Sequence, residues 1–82
     1  MDLVKLTEEI VKSLVEDADA VSVKEFPTDE ENVILIQVMV DENDMGRVIG
    51  KNGKTAQAIR VLVQAASYLQ DNKRVKINIE NF

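Results

Sequence analysis

Leu3, Leu6, Ile10 and Leu14 recur at helical spacing, and Val4, Val11 and Val15 widen the stripe. This spacing predicts an amphipathic helix over about 3–16, ended by the acids Glu16, Asp17 and Asp19, which are unfavourable at a helix C-terminus. Residues 20–26 are rich in β-branched side chains and partly alternating, so they read as a strand. Pro27 opens a polar turn through Asn32. Val33 to Val40 gives the strongest strand signal: Ile34, Ile36, Val38 and Val40 share one face, Val33, Leu35, Gln37 and Met39 the other. Only Gln37 interrupts this apolar run, which predicts an interior strand. Residues 41–44 turn the chain, and Asp44 is placed to cap a short helix starting at Met45. A longer helix is expected from about 54 to 70, with Ile59, Leu62, Ala66 and Leu69 as its packing stripe and Ala58 and Ala65 permitting close approach. After a turn at Asp71-Asn72, Val75, Ile77 and Ile79 alternate with Lys76, Asn78 and Glu80, the pattern of a half-buried strand. The order α-β-β-α-α-β predicts an α+β fold in two layers, a three-stranded sheet with the helices packed on one face.

Composition narrows the chemistry. The 82 residues suit one domain, 1–82, with a thin stability margin that a partner subunit would widen. Neither Cys nor His is present, which excludes disulfides, thiolate chemistry, histidine-dependent triads and zincin motifs. No apolar run approaches a membrane span, and the first residues lack the pattern of a secretory signal, so the cytoplasm is the expected location. The net charge of -5 conceals a division. Residues 1–45 carry three lysines against thirteen acids, whereas residues 46–82 carry seven basic residues against two acids. A polyanion responds to the potential near its own binding surface, so the acidic total does not exclude nucleic acid as a ligand.

Within the basic half, the stretch from Gly46 to Arg60 holds all three glycines of the chain. Gly50 and Gly53 bracket Lys51-Asn52 between two expected helices. A tight turn there leaves the first amides of the following helix unpaired at its positive end, where a phosphate can be held. Lys51 and Lys54 add charge, and Arg47 and Arg60 flank the turn. Other glycine-rich readings fail. A Walker A loop requires glycine where Val48 stands, and the glycine spacings do not match a dinucleotide fingerprint. Gly46 and Gly50 are spaced like a membrane-helix pair, but Arg47 and Lys51 sit among them. The acids Asp29, Glu30 and Glu31 lack the ligand spacing of a calcium loop.

The run Asp44-Met45-Gly46-Arg47-Val48-Ile49-Gly50-Lys51-Asn52-Gly53, continuing to Ala58-Ile59-Arg60, resembles the core of a KH domain, whose signature is Ile-Gly-x-x-Gly. The element order resembles the type II, bacterial arrangement, and the size and near-full coverage are similar to those of the small single-domain KhpA (YlqC) family. The resemblance implies single-stranded RNA in a narrow cleft beside the loop. Gly50, Lys51, Asn52 and Gly53 would meet its backbone, with Lys54 nearby and Arg47 on the rim. Gly46 would allow close approach of the bases. Val48 or Ile49 and the face of strand 33–40 would form the apolar floor, Ile49 serving equally as support beneath the loop. Arg60 would make an outer phosphate contact or pair with an acid. The resemblance also implies a homodimer, a larger KH-containing partner of the KhpB kind, and a role as RNA chaperone or post-transcriptional regulator linked to cell elongation and division. It implies no cofactor, no metal and no catalytic residue.

Phe26, Tyr68 and Phe82 are the only aromatics and none lies in the loop, so an aromatic stacking platform is not expected; Tyr68 reads as helix packing. The rival reading is a structural or adaptor domain that binds protein, supported by the apolar helix at 3–16 and the acidic half. An enzyme is the weakest reading, because the carboxylates of Glu8/Glu9 and of the turn at 41–44 have no acid–base partner.

Overall fold

The computed structural model describes residues 1–82. Helix α1 spans Leu3–Lys12, strand β1 Ser22–Phe26, strand β2 Val33–Val40, helix α2 Met45–Ile49, helix α3 Lys54–Gln70 and strand β3 Arg74–Asn81. Short 3₁₀ turns occupy Ala18–Ala20, Glu42–Asp44 and Lys51–Gly53. The sheet order is β1-β2-β3, with β2 antiparallel to β1 (Val23 opposite Val38) and parallel to β3 (Ile36 opposite Ile77). The expected element order and the interior position of β2 therefore hold. The parallel β2–β3 pair requires a crossover, which α2 and α3 supply.

One core lies between the sheet and the helices. Ile36, Val38 and Val40 of β2 are fully buried, with Leu3 and Val11 from α1, Val48 from α2, Ile59 and Val63 from α3, and Val23 and Ile77 from the outer strands. Asp2 caps α1, its carboxylate accepting from the amides of Val4 (2.9 Å) and Lys5 (3.2 Å). The helix ends at Lys12, short of the expected residue 16. Ser13 Oγ donates to Ile10 O, and the amides of Glu16 and Asp17 leave the helical path to donate to the carboxylate of Asp44, at 3.1 Å each.

Asp44 also departs from its expected role. It makes no side-chain cap on α2; Asp41 instead accepts from the amide of Asn43 at the preceding turn. A second correction concerns α3. The row packed on the sheet is Ala56, Ile59, Val63 and Ser67, whereas Leu62 is 56% and Leu69 90% exposed. Small side chains let the helix sit close to the strands, so the larger leucines of the expected stripe point outward.

Helix α3 also secures the free edge of β3. Gln64 donates from Nε2 to Lys73 O and accepts at Oε1 from the amide of Val75, both at 2.9 Å, as a neighbouring strand would. Ser67 Oγ donates to the same Lys73 carbonyl. These bonds occupy edge groups that would otherwise be open to another strand.

Candidate nucleic-acid interface

The turn between α2 and α3 is built from positive backbone angles. Gly50 has φ 75° and ψ 174°, Asn52 φ 57° and Gly53 φ 75°. Gly50 is required twice over: its conformation is open only to glycine, and a Cβ there would lie 2.2 Å from Thr55 Oγ1. Asn tolerates the left-handed region better than most residues, which suits Asn52. The amide of Gly50 donates to Gly46 O and that of Gly53 to Gly50 O, closing the turn. No side chain caps the start of this turn. Gly53, the residue before α3, offers no side-chain cap.

The side chains follow the same division. Lys51, Asn52 and Lys54 are exposed, and neither lysine joins any of the four ion pairs of the molecule. Gly46 is exposed, and a Cβ there would meet nothing within 4 Å, so neither packing nor backbone geometry demands glycine at this point. Ile49 is half-buried beside the loop.

Arg47 is held elsewhere. Its guanidinium donates to Asp44 Oδ1 (3.3 Å) and Glu16 Oε1, drawing it toward the segment after α1. Asp44 is 2% exposed. The Glu16 amide holds its carboxyl below the ordinary 3.8; burial opposes this, and the Asp17 amide and the Arg47 charge reinforce it. Arg60 pairs with no acid: Nε and Nη2 donate to Ile77 O on β3, at 3.4 and 3.3 Å.

The expected apolar floor is not where sequence placed it. Val48 is fully buried, and the Ile36–Val38–Val40 face of β2 lies under the helices. The larger concavity, about 420 Å³, runs instead between α3 and β3, lined by Gln57, Arg60, Gln64, Tyr68, Arg74 and Val75 among others. Tyr68 is 54% exposed there and does not serve as internal packing. No local signal marks this groove, because it forms only when α3 docks on the edge strand. No helix is long and apolar enough to cross a membrane.

The chain matches the family model described as KhpA/KhpB, KH domain, over residues 4–79. It is 47% identical over 75 residues to the RNA-binding protein KhpA of Caldanaerobacter subterraneus subsp. tengcongensis, covering 92% of this chain and 96% of that protein. The RNA-binding protein KhpA of Thermotoga maritima is 35% identical, with coverage of 92% and 95%. Among solved structures, Aquifex aeolicus Era in a GDP–AlF4- complex superposes with a TM-score of 0.70 at 22% identity, over 98% of this chain and 30% of Era. Era in complex with MgGDPNP and nucleotides 1506–1542 of 16S ribosomal RNA gives a TM-score of 0.68 at 23% identity, over 96% of this chain and 29% of that one. At these identities the likeness to Era concerns the fold, which is KH-like.

Proposed function

The chain belongs to the KhpA/KhpB KH-domain family, and from that premise we propose that residues 1–82 act as one KH domain that holds single-stranded RNA against the Gly50–Gly53 loop. One observation carries this reading. The loop combines a glycine-shaped turn at the uncapped, positive end of α3 with two exposed lysines that join no ion pair. A helix N-terminus with mobile positive charge beside it fits a phosphate backbone. Lys51, Asn52 and Lys54 meet phosphates. Gly50 and Gly53 shape the turn, Ile49 supports it, and Gly46 admits the strand. Bases lie along the α3–β3 groove past Arg60, while Arg47 braces α2 from behind. The chemistry is binding, not catalysis. The protein acts in the cytoplasm as an RNA chaperone or post-transcriptional regulator linked to elongation and division, as a homodimer or with a larger KH-containing partner of the KhpB kind.

The double substitution Lys51→Asp with Asn52→Asp tests the site. Fluorescence anisotropy with a short single-stranded RNA should show affinity falling by about a hundredfold, near 2.7 kcal/mol, with an unchanged circular dichroism spectrum. The native protein's affinity should fall with added salt by a slope of about -0.7 per phosphate contacted, for only a few phosphates. Unchanged affinity in the double variant would remove the loop as the site.

A further inference from the structure

Gln57, Arg60, Gln64 and Tyr68 follow one another at helical spacing along the α3 wall of the groove, and Arg74 lines it from β3. Two guanidinium groups line this groove and no acid does. The bonds between its walls fix their register. Arg60 donates to Ile77 O, and Gln64 bonds both Lys73 O and the Val75 amide. One turn further along α3, Tyr68 therefore comes level with the start of β3, where Arg74 stands. Gln64 and Ser67 already fasten this end of α3 to Lys73 O, and Tyr68 takes no part in that fastening. Its side chain is left to the groove, and Arg74 is exposed and joins none of the four ion pairs.

We infer that the end of the groove away from the loop is a stacking subsite for one RNA base, with the ring of Tyr68 against the base and the Arg74 guanidinium on the adjoining phosphate. A single strand presents a planar base and an anionic phosphate at each step, which matches an aromatic ring and a free cation on facing walls. Val61 and Val75 supply apolar lining for the edge of the base. Tyr68 stands about 21 Å along α3 from Lys54, so the loop and the subsite grip opposite ends of a short strand laid in the groove. An acid-free lining keeps that path clear of repulsion in a chain whose net charge is -5. Every base has a π-face, so the subsite adds affinity without choosing among bases. The inference rests on the RNA-binding reading above and extends it from the strand's backbone to one of its bases.

Tyr68 is the only tyrosine and the chain has no tryptophan, so its intrinsic fluorescence reports on this one position. Titration with a single-stranded RNA of about eight nucleotides, longer than the four or so a KH loop clamps, should quench that emission. The quenching should share its midpoint with fluorescence anisotropy of labelled RNA. A nucleoside monophosphate at the same concentrations should leave the emission unchanged. Tyr68→Ala should lower affinity about tenfold while Tyr68→Phe, which keeps the ring, stays near native. Both should be folded by circular dichroism. Arg74→Gln should reduce the salt slope by about 0.7, one phosphate's worth. RNA binding with undiminished tyrosine emission, or unchanged affinity in Tyr68→Ala, overturns the subsite and leaves the loop reading standing. Equal quenching by the mononucleotide overturns it in favour of a pocket for free nucleotides. Quenching and affinity that both survive Lys51→Asp with Asn52→Asp support the subsite and overturn the loop. A native chain that binds no RNA overturns both.

Discussion

Helix α2 is only one turn and a half long, and its two ends treat polar groups in opposite ways. At its start, Asp44 is buried and takes two backbone amides and the Arg47 guanidinium, which in turn reaches Glu16. At its finish, α3 begins without a side-chain cap, and the ammonium groups of Lys51 and Lys54 join no ion pair. The first end spends its charge on fixing α2 against the segment after α1. The second leaves its charge unpaired. The contrast separates two cations four positions apart: Arg47 is paired with Asp44 and Glu16, whereas Lys51 joins no ion pair.

The largest effect should come from breaking the open end by its backbone. Gly50→Ala forces a Cβ to within 2.2 Å of Thr55 Oγ1 and 2.9 Å of the Thr55 amide, in a conformation reserved for glycine. We expect a loss of about 3 kcal/mol in urea unfolding. Gly53→Ala is the comparison, since it has the same φ of +75° but open space around a Cβ. It should cost only about 1 kcal/mol. Equal losses at the two positions would mean that the Thr55 contact is irrelevant and backbone angle alone sets the cost.

The closed end should respond to acid. Folding depresses the Asp44 carboxyl below 3.8, so its contribution to stability is complete above that value and fades as pH falls through the lower folded value. Asp44→Asn cannot accept from both amides and leaves Arg47 facing a neutral group. Its Tm should fall short of the native one by several degrees at neutral pH, and the gap should narrow below pH 3.8. A gap independent of pH would show that shape, not charge, holds this corner. If this corner only braces α2, as proposed, RNA affinity at neutral pH should change little; a large loss would return Arg47 to the site.

What sequence reading could and could not anticipate divides along the same line. The strand at 33–40 and the helix at 54–70 were legible because their signals are local: an unbroken β-branched run, and a glycine turn followed by uninterrupted helix formers. The Gly50–Gly53 loop was legible for the same reason. The end of α1 was not, since it is set by a carboxylate at position 44. Nor was the buried row of α3. Both Ile59-Leu62-Ala66-Leu69 and Ala56-Ile59-Val63-Ser67 fit helical spacing, and only the sheet, by admitting small side chains and offering Lys73 O to Ser67, selects the second. The groove between α3 and β3 depends on that choice, so the floor was misplaced with it.

The smallest and sharpest test lies between the two ends, at Gly46. It sits inside α2, exposed, with room for a side chain and without a positive φ. Alanine is the better helix former, so Gly46→Ala should raise stability by about 0.5–1 kcal/mol. If α2 served only the fold, glycine here would be a defect without compensation. If a strand of RNA runs against the helix on its way to the loop, the added methyl group stands in its path, and anisotropy should show affinity lowered a few-fold in the more stable protein. Stability and binding moving in opposite directions would fix this face as the strand's path. An affinity that is unchanged or improved would confine the contact to the loop itself, where Lys51 and Lys54 stand unpaired.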